Sequence, residues 1–399
     1  MERVAVTGMG IVSPIATGVE PFWQALLAGR CAVAPIGSVD GLSGNALWAA
    51  VPDDFSAGSA LPLAALRNTD RFTQYAMVAT HEALLAARMD PPERTAVIIG
   101  NTMGGFPLVT EAQTRYLDGG ARAVTPKLLA LVIPNMAPAR IAMHWKLHGP
   151  QLAVSTACAS SVDAIGLAAG MIERGEADAA IAGGTETLLS ALTYESLARA
   201  GALSRNPNAS LASRPFDVDR DGFVMGDGAA VVILENAEAA AARGARVLAR
   251  IRGYGSVADA HHITSPDPTG EYEARAMRDA IERAGVECGV VYAHATGTLV
   301  GDAAEAKAID AVYCGAPATV TSIKGHLGHG MASAGAMCLV AGILGMRDGR
   351  IPPTVGTKHV DPRTRFDLVL ERPRERAYGA FQLNAFGFGG QNASLVVSR

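Results

Sequence analysis

Apolar residues fall into two alternating patterns along this chain. Short runs of β-branched and aliphatic residues predict strands at Val4–Val6, Ala96–Ile99, Leu152–Ser155, Ala179–Ala182, Ala229–Leu234, Val247–Gly255, Val291–Ala293, Thr319–Ser322, Leu368–Val369, Ala380–Asn384 and Ser394–Val397. Longer alanine-rich stretches predict helices at Pro21–Ala28, Phe72–Ala87, Ala159–Arg174, Ala237–Arg243, Glu271–Ala284, Asp302–Val312 and Ala332–Arg347. Strands alternating with helices point to an α/β fold. Val231-Val232-Ile233-Leu234 is apolar on both faces, as a central strand covered by helices must be. Residues 1–245 and 246–399 each run strand, long insertion, helix, strand. This is a faint echo between two halves without visible sequence identity.

Composition narrows the function classes. With 399 residues, 49% of them hydrophobic, the chain can bury a large core. A net charge of −4 lacks the basic footprint of a nucleic-acid binder. We read no apolar stretch of the roughly 18–20 residues a membrane span needs. Met1 to Gly8 reads as a strand and turn, not a secretory signal. The five cysteines are odd in number, widely spaced and without a CxxC pair, which fits reduced thiols and a cytoplasmic location.

Candidate chemistry sits where strands hand over to loops. Cys158 lies in Val154-Ser155-Thr156-Ala157-Cys158-Ala159-Ser160-Ser161, between a strand and the start of a helix. The helix dipole and free backbone N–H groups there favour thiolate, so Cys158 is a candidate nucleophile. A second strand ends in His294, followed by Thr296, Gly297 and Thr298 and then a helix with Asp302, Glu305 and Lys307. A third ends in Lys324-Gly325-His326-Leu327-Gly328-His329, and Asn384 to Asn392 is a glycine-rich turn between two late strands that includes Phe386 and Phe388. Each segment alone fits a structural role. Together, one thiol at a helix start and two histidines at strand ends are the parts of acyl-thioester chemistry. Other motifs fall short. His326 and His329 lack an evident third metal ligand, and no metal is expected. Asp217 to Gly222 matches half an EF-hand loop, but position twelve is Gly228, so it reads as a turn whose carboxylates bond backbone and arginine. Gly8-x-Gly10 lacks the third glycine of a dinucleotide fingerprint.

These segments in this order resemble the β-ketoacyl-acyl carrier protein synthases, specifically the synthase II-type condensing enzymes of the thiolase superfamily. The likeness runs from Val6-Thr7-Gly8-Met9-Gly10 through Thr156-Ala157-Cys158, Ala182 to Glu186, Arg214-Pro215-Phe216-Asp217 and Asp221 to Gly228, and ends at Asn384 to Asn392. The resemblance implies the thiolase fold, a five-layered αβαβα core of two similar halves, and turns the echo into a duplication. It implies decarboxylative condensation of a Cys158-bound acyl chain with malonyl-acyl carrier protein. His294 and His329 would bind the malonyl thioester, and Lys324, paired with Glu305, would hold their geometry. The backbone N–H groups of Cys158 and Phe388 would form an oxyanion hole, with Phe388 also gating the thiol. Thr296 and Thr298 would contact phosphopantetheine, with no further cofactor. Met103, Leu197 and Phe386 would line the acyl pocket. Implied partners are acyl carrier protein, met by Arg67, Arg71, Arg199 and Arg205, and a second subunit in a homodimer or a heterodimer with a chain-length-factor-like chain.

Several positions depart from the family pattern. Ala295 stands for glycine, Gly325-His326-Leu327 for small and apolar residues, and Ala385 and Gln391 for serine and threonine. The departures lean toward a secondary pathway, a type II polyketide or polyene system, over housekeeping fatty-acid synthesis. A non-catalytic chain-length partner is the alternative from another class, but such partners lack the nucleophile. A degradative thiolase would carry a second cysteine near residues 384–392, and none is there.

Overall fold

The structure, a computed structural model, describes residues 4–37, 39, 41–42 and 46–399. Eleven strands form one hydrogen-bonded order: β1 (Val4–Val12), β2 (Thr95–Gly100), β3 (Gln151–Val154), β4 (Ala179–Glu186), β5 (Gly228–Asn236), β6 (Ala249–Ala258), β7 (Val290–Tyr292), β8 (Thr319–Thr321), β9 (Asp367–Leu368), β10 (Ala380–Gly387) and β11 (Gln391–Ser398). The spatial order is β9-β8-β7-β10-β11-β6-β1-β5-β4-β2-β3. Every predicted strand is present.

The order contains a repeat. In the first half β1 pairs antiparallel with β5, β5 antiparallel with β4, and β4, β2 and β3 run parallel. In the second half β6 pairs antiparallel with β11, β11 antiparallel with β10, and β10, β7 and β8 run parallel. The halves join where Val4–Val6 pairs with Ala249–Ile251. Helices complete five layers. α1 (Arg71–Ala87) and α2 (Met136–Trp145) cover the outer face of the first sheet. α4 (Glu271–Ala284) and α5 (Leu299–Val312) form the outer layer of the second half, and α3 (Ser160–Glu173) and α6 (Ala334–Asp348) pack together between the sheets.

Glycines explain how the outer helices approach so closely. A Cβ on Gly8 or Gly10 would meet the Ala83 or Ala79 carbonyl oxygen of α1 at 2.1 or 1.9 Å. Gly253 and Gly255 stand in the same relation to Ala280 and Ala276 of α4, at 1.9 and 2.1 Å. The Gly-x-Gly that fails as a dinucleotide fingerprint is thus a helix-seating device used once per half.

Two expectations are refined. Helices at Phe106–Gly119, Met136–Trp145 and Ala191–Arg199 escape the sequence pattern; the first and last bury a single residue each, Ala112 and Thr193, while the middle one is short and buries Ala137, Pro138, Ile141 and Ala142. The stretch Met331–Asp348 does reach membrane-spanning length and hydropathy, but 89% of it is buried within the fold, as a core helix is. The acidic turn is structural as expected: Asp217 accepts from the amides of Asp219, Lys358 and His359, and Arg220 pairs with Asp361 at 2.8 Å.

Candidate active site

The repeat places the chemistry. Cys158 follows β3, and His329 follows β8, at equivalent crossovers of the two halves. Each crossover enters its central helix through a short 3-10 turn, Ala157–Ala159 before α3 and Met331–Ser333 before α6. Each turn starts with a non-glycine residue in the left-handed region, Ala157 at φ 49° and Met331 at φ 47°. The turns face each other, with Cys158 Sγ 3.9 Å from Met331 Sδ. His294 comes just beyond β7, the counterpart of β2 with Asn101 just beyond its end.

Cys158 is held by its neighbours' backbone. Thr156 N donates to Ser160 Oγ at 2.9 Å, and Ser160 Oγ donates to the Ala157 carbonyl at 2.6 Å. The β10–β11 turn presses against this elbow: a Cβ on Gly387 would lie 2.9 Å from Thr156 O and 3.0 Å from Cys158 N. That approach brings the Phe388 N–H, with the N–H of Cys158 itself, to the thiol. These are the two donors expected of an oxyanion hole.

The thiolate expectation needs correction. Burial pushes the Cys158 thiol up to about 12, against the opposing pull of Lys324 and the two N–H groups. Loss of hydration outweighs the combined pull of Lys324 and these donors. The resting group is a thiol that needs a base, and His329 Nε2 lies 3.0 Å from Sγ.

The imidazole of His329 is fixed from several sides. Its backbone N donates to Val224 O at 2.6 Å, and Gly226 N donates to His329 O at 2.9 Å. The Phe223 ring meets it edge to face at 5.3 Å, so Gly222 to Gly226 is the rail that carries this histidine. His329 Nδ1 is buried without a hydrogen-bond partner among the described residues, which leaves the tautomer to be set at Nε2. His294 crosses His329 edge to face at 5.3 Å. Burial first, then the charge of Lys324, holds both imidazoles well below the usual histidine range. Both are therefore neutral near pH 7.

Lys324 and Glu305 act on His294 through its main chain. Lys324 Nζ donates to the His294 carbonyl, while the amides of His294 and Ala295 donate to Glu305 at 2.8 and 2.6 Å. Asn384 Nδ2 adds a third donor to Glu305 at 3.1 Å. The expected pairing of Lys324 with Glu305 is thus bridged by the His294 peptide. Replacing Lys324 with methionine removes the cation that disfavours imidazolium at both rings. The acid limb of malonyl decarboxylation should then move to higher pH. A pH–rate profile measures this, and an unmoved limb would contradict it.

His326 stays out of the site. It is fully buried, with Nδ1 2.7 Å from the Arg30 carbonyl and Nε2 2.8 Å from the Pro353 carbonyl. Burial favours the neutral ring, while both carbonyls favour the charged one. The ring clasps two loops around the Lys324 turn. The neutral ring has one N–H and can donate to one of these carbonyls, so His326→Leu would remove one hydrogen bond and the packing between the loops at a cost of about 1–3 kcal/mol. A denaturant melt reads that loss, and an unchanged midpoint would contradict the clasp.

A cavity of about 390 Å³ opens on these groups, lined by Cys158, His294, His329, Thr296, Thr298, Phe386 and Phe388 among others. Thr296 Oγ1 donates to Thr298 Oγ1 at 3.3 Å, and the Phe386 ring lies 6.0 Å from that of His294. Leu197 packs, half-buried, on an apolar cluster containing Cys158, Trp48, Leu188, Leu203, Phe223 and Met331. Met103 is outside this lining and 44% exposed. Cys158, His294 and His329 also bring three potential metal-ligand atoms within 4.8 Å of one another. The ammonium of Lys324 and the neutral thiol both disfavour a dication there.

Sequence reasoning missed Phe223 and Asp163. Asp163 accepts hydrogen bonds from Thr156 Oγ1 and, at 2.6 Å, from Tyr254 OH, tying the thiol elbow to β6. Phe223 stands within a motif already noted, whereas nothing in the spacing links residues 163 and 254.

Comparison with known proteins identifies the family. The family model described as "Beta-ketoacyl synthase, N-terminal domain" matches residues 1–240, and "Beta-ketoacyl synthase, C-terminal domain" matches residues 248–358. The chain belongs to the β-ketoacyl synthase family. It is 38% identical to 3-oxoacyl-[acyl-carrier-protein] synthase 2 of Coxiella burnetii, across 100% of this chain and 98% of that protein. The same enzyme of Staphylococcus aureus is 37% identical over the same shares. Among solved structures, the ishigamide ketosynthase/chain length factor superposes with a TM-score of 0.92 at 34% identity, covering 100% of this chain and 99% of that one. A type II polyketide ketosynthase, solved in complex with its acyl-carrier protein and bound to a hexaketide, gives 0.90 at 27% identity, again over 100% and 99%. The thiolase-fold expectation for this α/β chain holds.

Proposed function

We propose that the chain condenses a Cys158-bound acyl group with malonyl-acyl carrier protein, losing carbon dioxide and forming a 3-oxoacyl-acyl carrier protein. The observation that carries this reading is the convergence of one thiol, two neutral imidazoles and two backbone donors on one cavity. In the first stage the acyl carrier thioester enters. His329 Nε2 takes the Cys158 proton, and sulfur attacks the carbonyl carbon. The Cys158 and Phe388 N–H groups hold the oxyanion. The carrier thiol then leaves with the proton.

In the second stage malonyl thioester binds with its carbonyl oxygen facing His294 and His329. The C–C bond to the carboxylate breaks, carbon dioxide departs, and its electrons become the enolate. Once Cys158 is acylated and its S–H is gone, the neutral His329 ring carries its proton on Nε2 by exchange through water, and that N–H with the His294 N–H stabilises the charge where it forms; neutral rings avoid a buried cation pair beside Lys324. The enolate carbon attacks the acyl-Cys158 carbonyl, the oxyanion collapses, and the expelled Cys158 thiolate takes one proton from solvent water, the proton the overall reaction consumes.

The acyl chain would occupy the apolar cluster around Cys158, with Leu197 and Phe386 beside it, and the phosphopantetheine arm would pass Thr296 and Thr298. No cofactor beyond that arm enters these steps. The two halves, 1–245 and 246–399, are best taken as thiolase-like repeats, supported by their common strand order. A second subunit, identical or chain-length-factor-like, would meet the β3 edge, where Gln151 and Leu152 are exposed. Met103 would reach the acyl chain only through such an interface. Arg67, Arg71, Arg199 and Arg205 are all exposed and suit an acidic carrier protein. Five free cysteines suit a cytoplasmic setting. Incubation with acyl- and malonyl-acyl carrier proteins should yield the 3-oxoacyl carrier and carbon dioxide in equal amounts. Carbon dioxide without a condensed product would refute the condensation.

A further inference from the structure

The buried face of α4 carries one residue that does not belong there. The stripe reads Glu273, Ala274, Ala276, Met277, Ala280 and Ala284. Glu273 is 3% exposed, lines the cavity that holds Cys158 and the two histidines, and its Oε2 has no hydrogen-bond partner among the described residues. A buried polar atom left unpartnered is costly, so a carboxyl aimed at a substrate cavity points to a missing partner.

The surroundings select that partner. Burial first, then Glu305, Asp259, Asp302 and Asp267, push the carboxyl well above the usual range, which favours the neutral acid with an O–H to donate. The nearby carboxylates do not form an open cation site. Glu305 and Asp302 accept from backbone amides, Asp259 accepts from His261 N and Asp267 N, and Arg220 lies 3.8 Å from Asp302. A neutral donor needs a carbonyl oxygen. The thioester oxygens face the histidines and the backbone donors, and the acyl chain has the apolar cluster with Met331 and Phe223. On the polar wall with Thr296, Thr298, Ser265 and Asn392, the remaining carbonyls are amides of the thioester-bearing arm.

We propose that Glu273 is a specificity residue whose carboxylic acid donates to an amide carbonyl of the arm, so that the site recognises pantetheine-type thioesters over simple ones. This rests on the reading that the cavity takes such an arm. The test compares wild type, Glu273→Gln, which keeps an N–H donor, and Glu273→Leu, which has none. Each is assayed for decarboxylation of malonyl-pantetheine, which carries amides, and of a malonyl alkanethiol thioester, which carries none. We expect Glu273→Leu to raise KM for malonyl-pantetheine about fivefold with kcat unchanged, the size of one buried neutral hydrogen bond. KM for the alkanethiol ester should not move, and Glu273→Gln should stay near wild type. Equal KM changes for both esters, or none for either, would overturn the proposal. Calorimetric binding of unacylated pantetheine by wild type and Glu273→Leu decides it without turnover. If wild type decarboxylates neither ester, the condensing reading fails, while the binding difference still judges Glu273.

Discussion

Cys158→Ala is expected to abolish acyl loading and to lower condensation about 10⁴-fold or more, while malonyl decarboxylation remains measurable. Among the described residues the cavity offers no second thiol: Met331 presents a thioether, and Cys338 is buried within the core helix α6. Decarboxylation depends on the imidazoles, which the substitution does not touch. Cys158→Gln should behave likewise, with decarboxylation kept or raised, because its amide approximates the neutral acylated state. Radiolabelled carbon dioxide release and product chromatography on the same samples read both reactions. Condensation by Cys158→Ala would remove the thiol from its assigned role. Loss of both reactions would show that the histidines do not work without it.

The second large effect concerns His329. Its Nε2 faces Sγ at 3.0 Å, so the ring serves both stages. His329→Ala should lose decarboxylation at every pH, by about 10²–10³-fold, since one of two enolate donors is gone. Acylation should slow as well, because a thiol pushed up to about 12 loses its base. The sign of the pH response follows. Raising pH increases the thiolate fraction, so acylation of the variant should recover in alkali while decarboxylation does not. His294→Ala should lose decarboxylation yet keep the wild-type acylation profile. Single-turnover acylation across pH separates these cases. An unaltered acylation rate in His329→Ala would make the 3.0 Å contact incidental.

Much of the fold is legible because buried strands are compositionally plain. In Ala229–Leu234 the apolar residues on both faces leave one reading, and β5 is buried from Gly228 to Glu235. The apolar pattern reads β1 short, as Val4–Val6, because Thr7, Gly8 and Gly10 interrupt the run. The two glycines are there because α1 sits directly on them. Phe106–Gly119 leaves no pattern, since its surroundings bury only Ala112. In the site, Cys158, His294 and His329 each show at a strand end beside small residues. Their convergence comes from the family resemblance, as no period connects positions 158, 294 and 329. Burial explains the rest. A sequence shows a cysteine at a helix start but not the desolvation that keeps it protonated. Nothing in the spacing marks Glu273, an acid in the first turn of α4, as a buried residue; only the packing of that helix shows it.

The central claim is that Cys158 carries the acyl chain. Intact mass spectrometry after mixing the protein with a panel of acyl-acyl carrier proteins, followed by peptide mapping, tests it most directly. The predicted result is one acyl adduct per chain, located on Cys158 and absent from Cys158→Ala. An adduct on another residue, or no adduct with any acyl carrier, would contradict it.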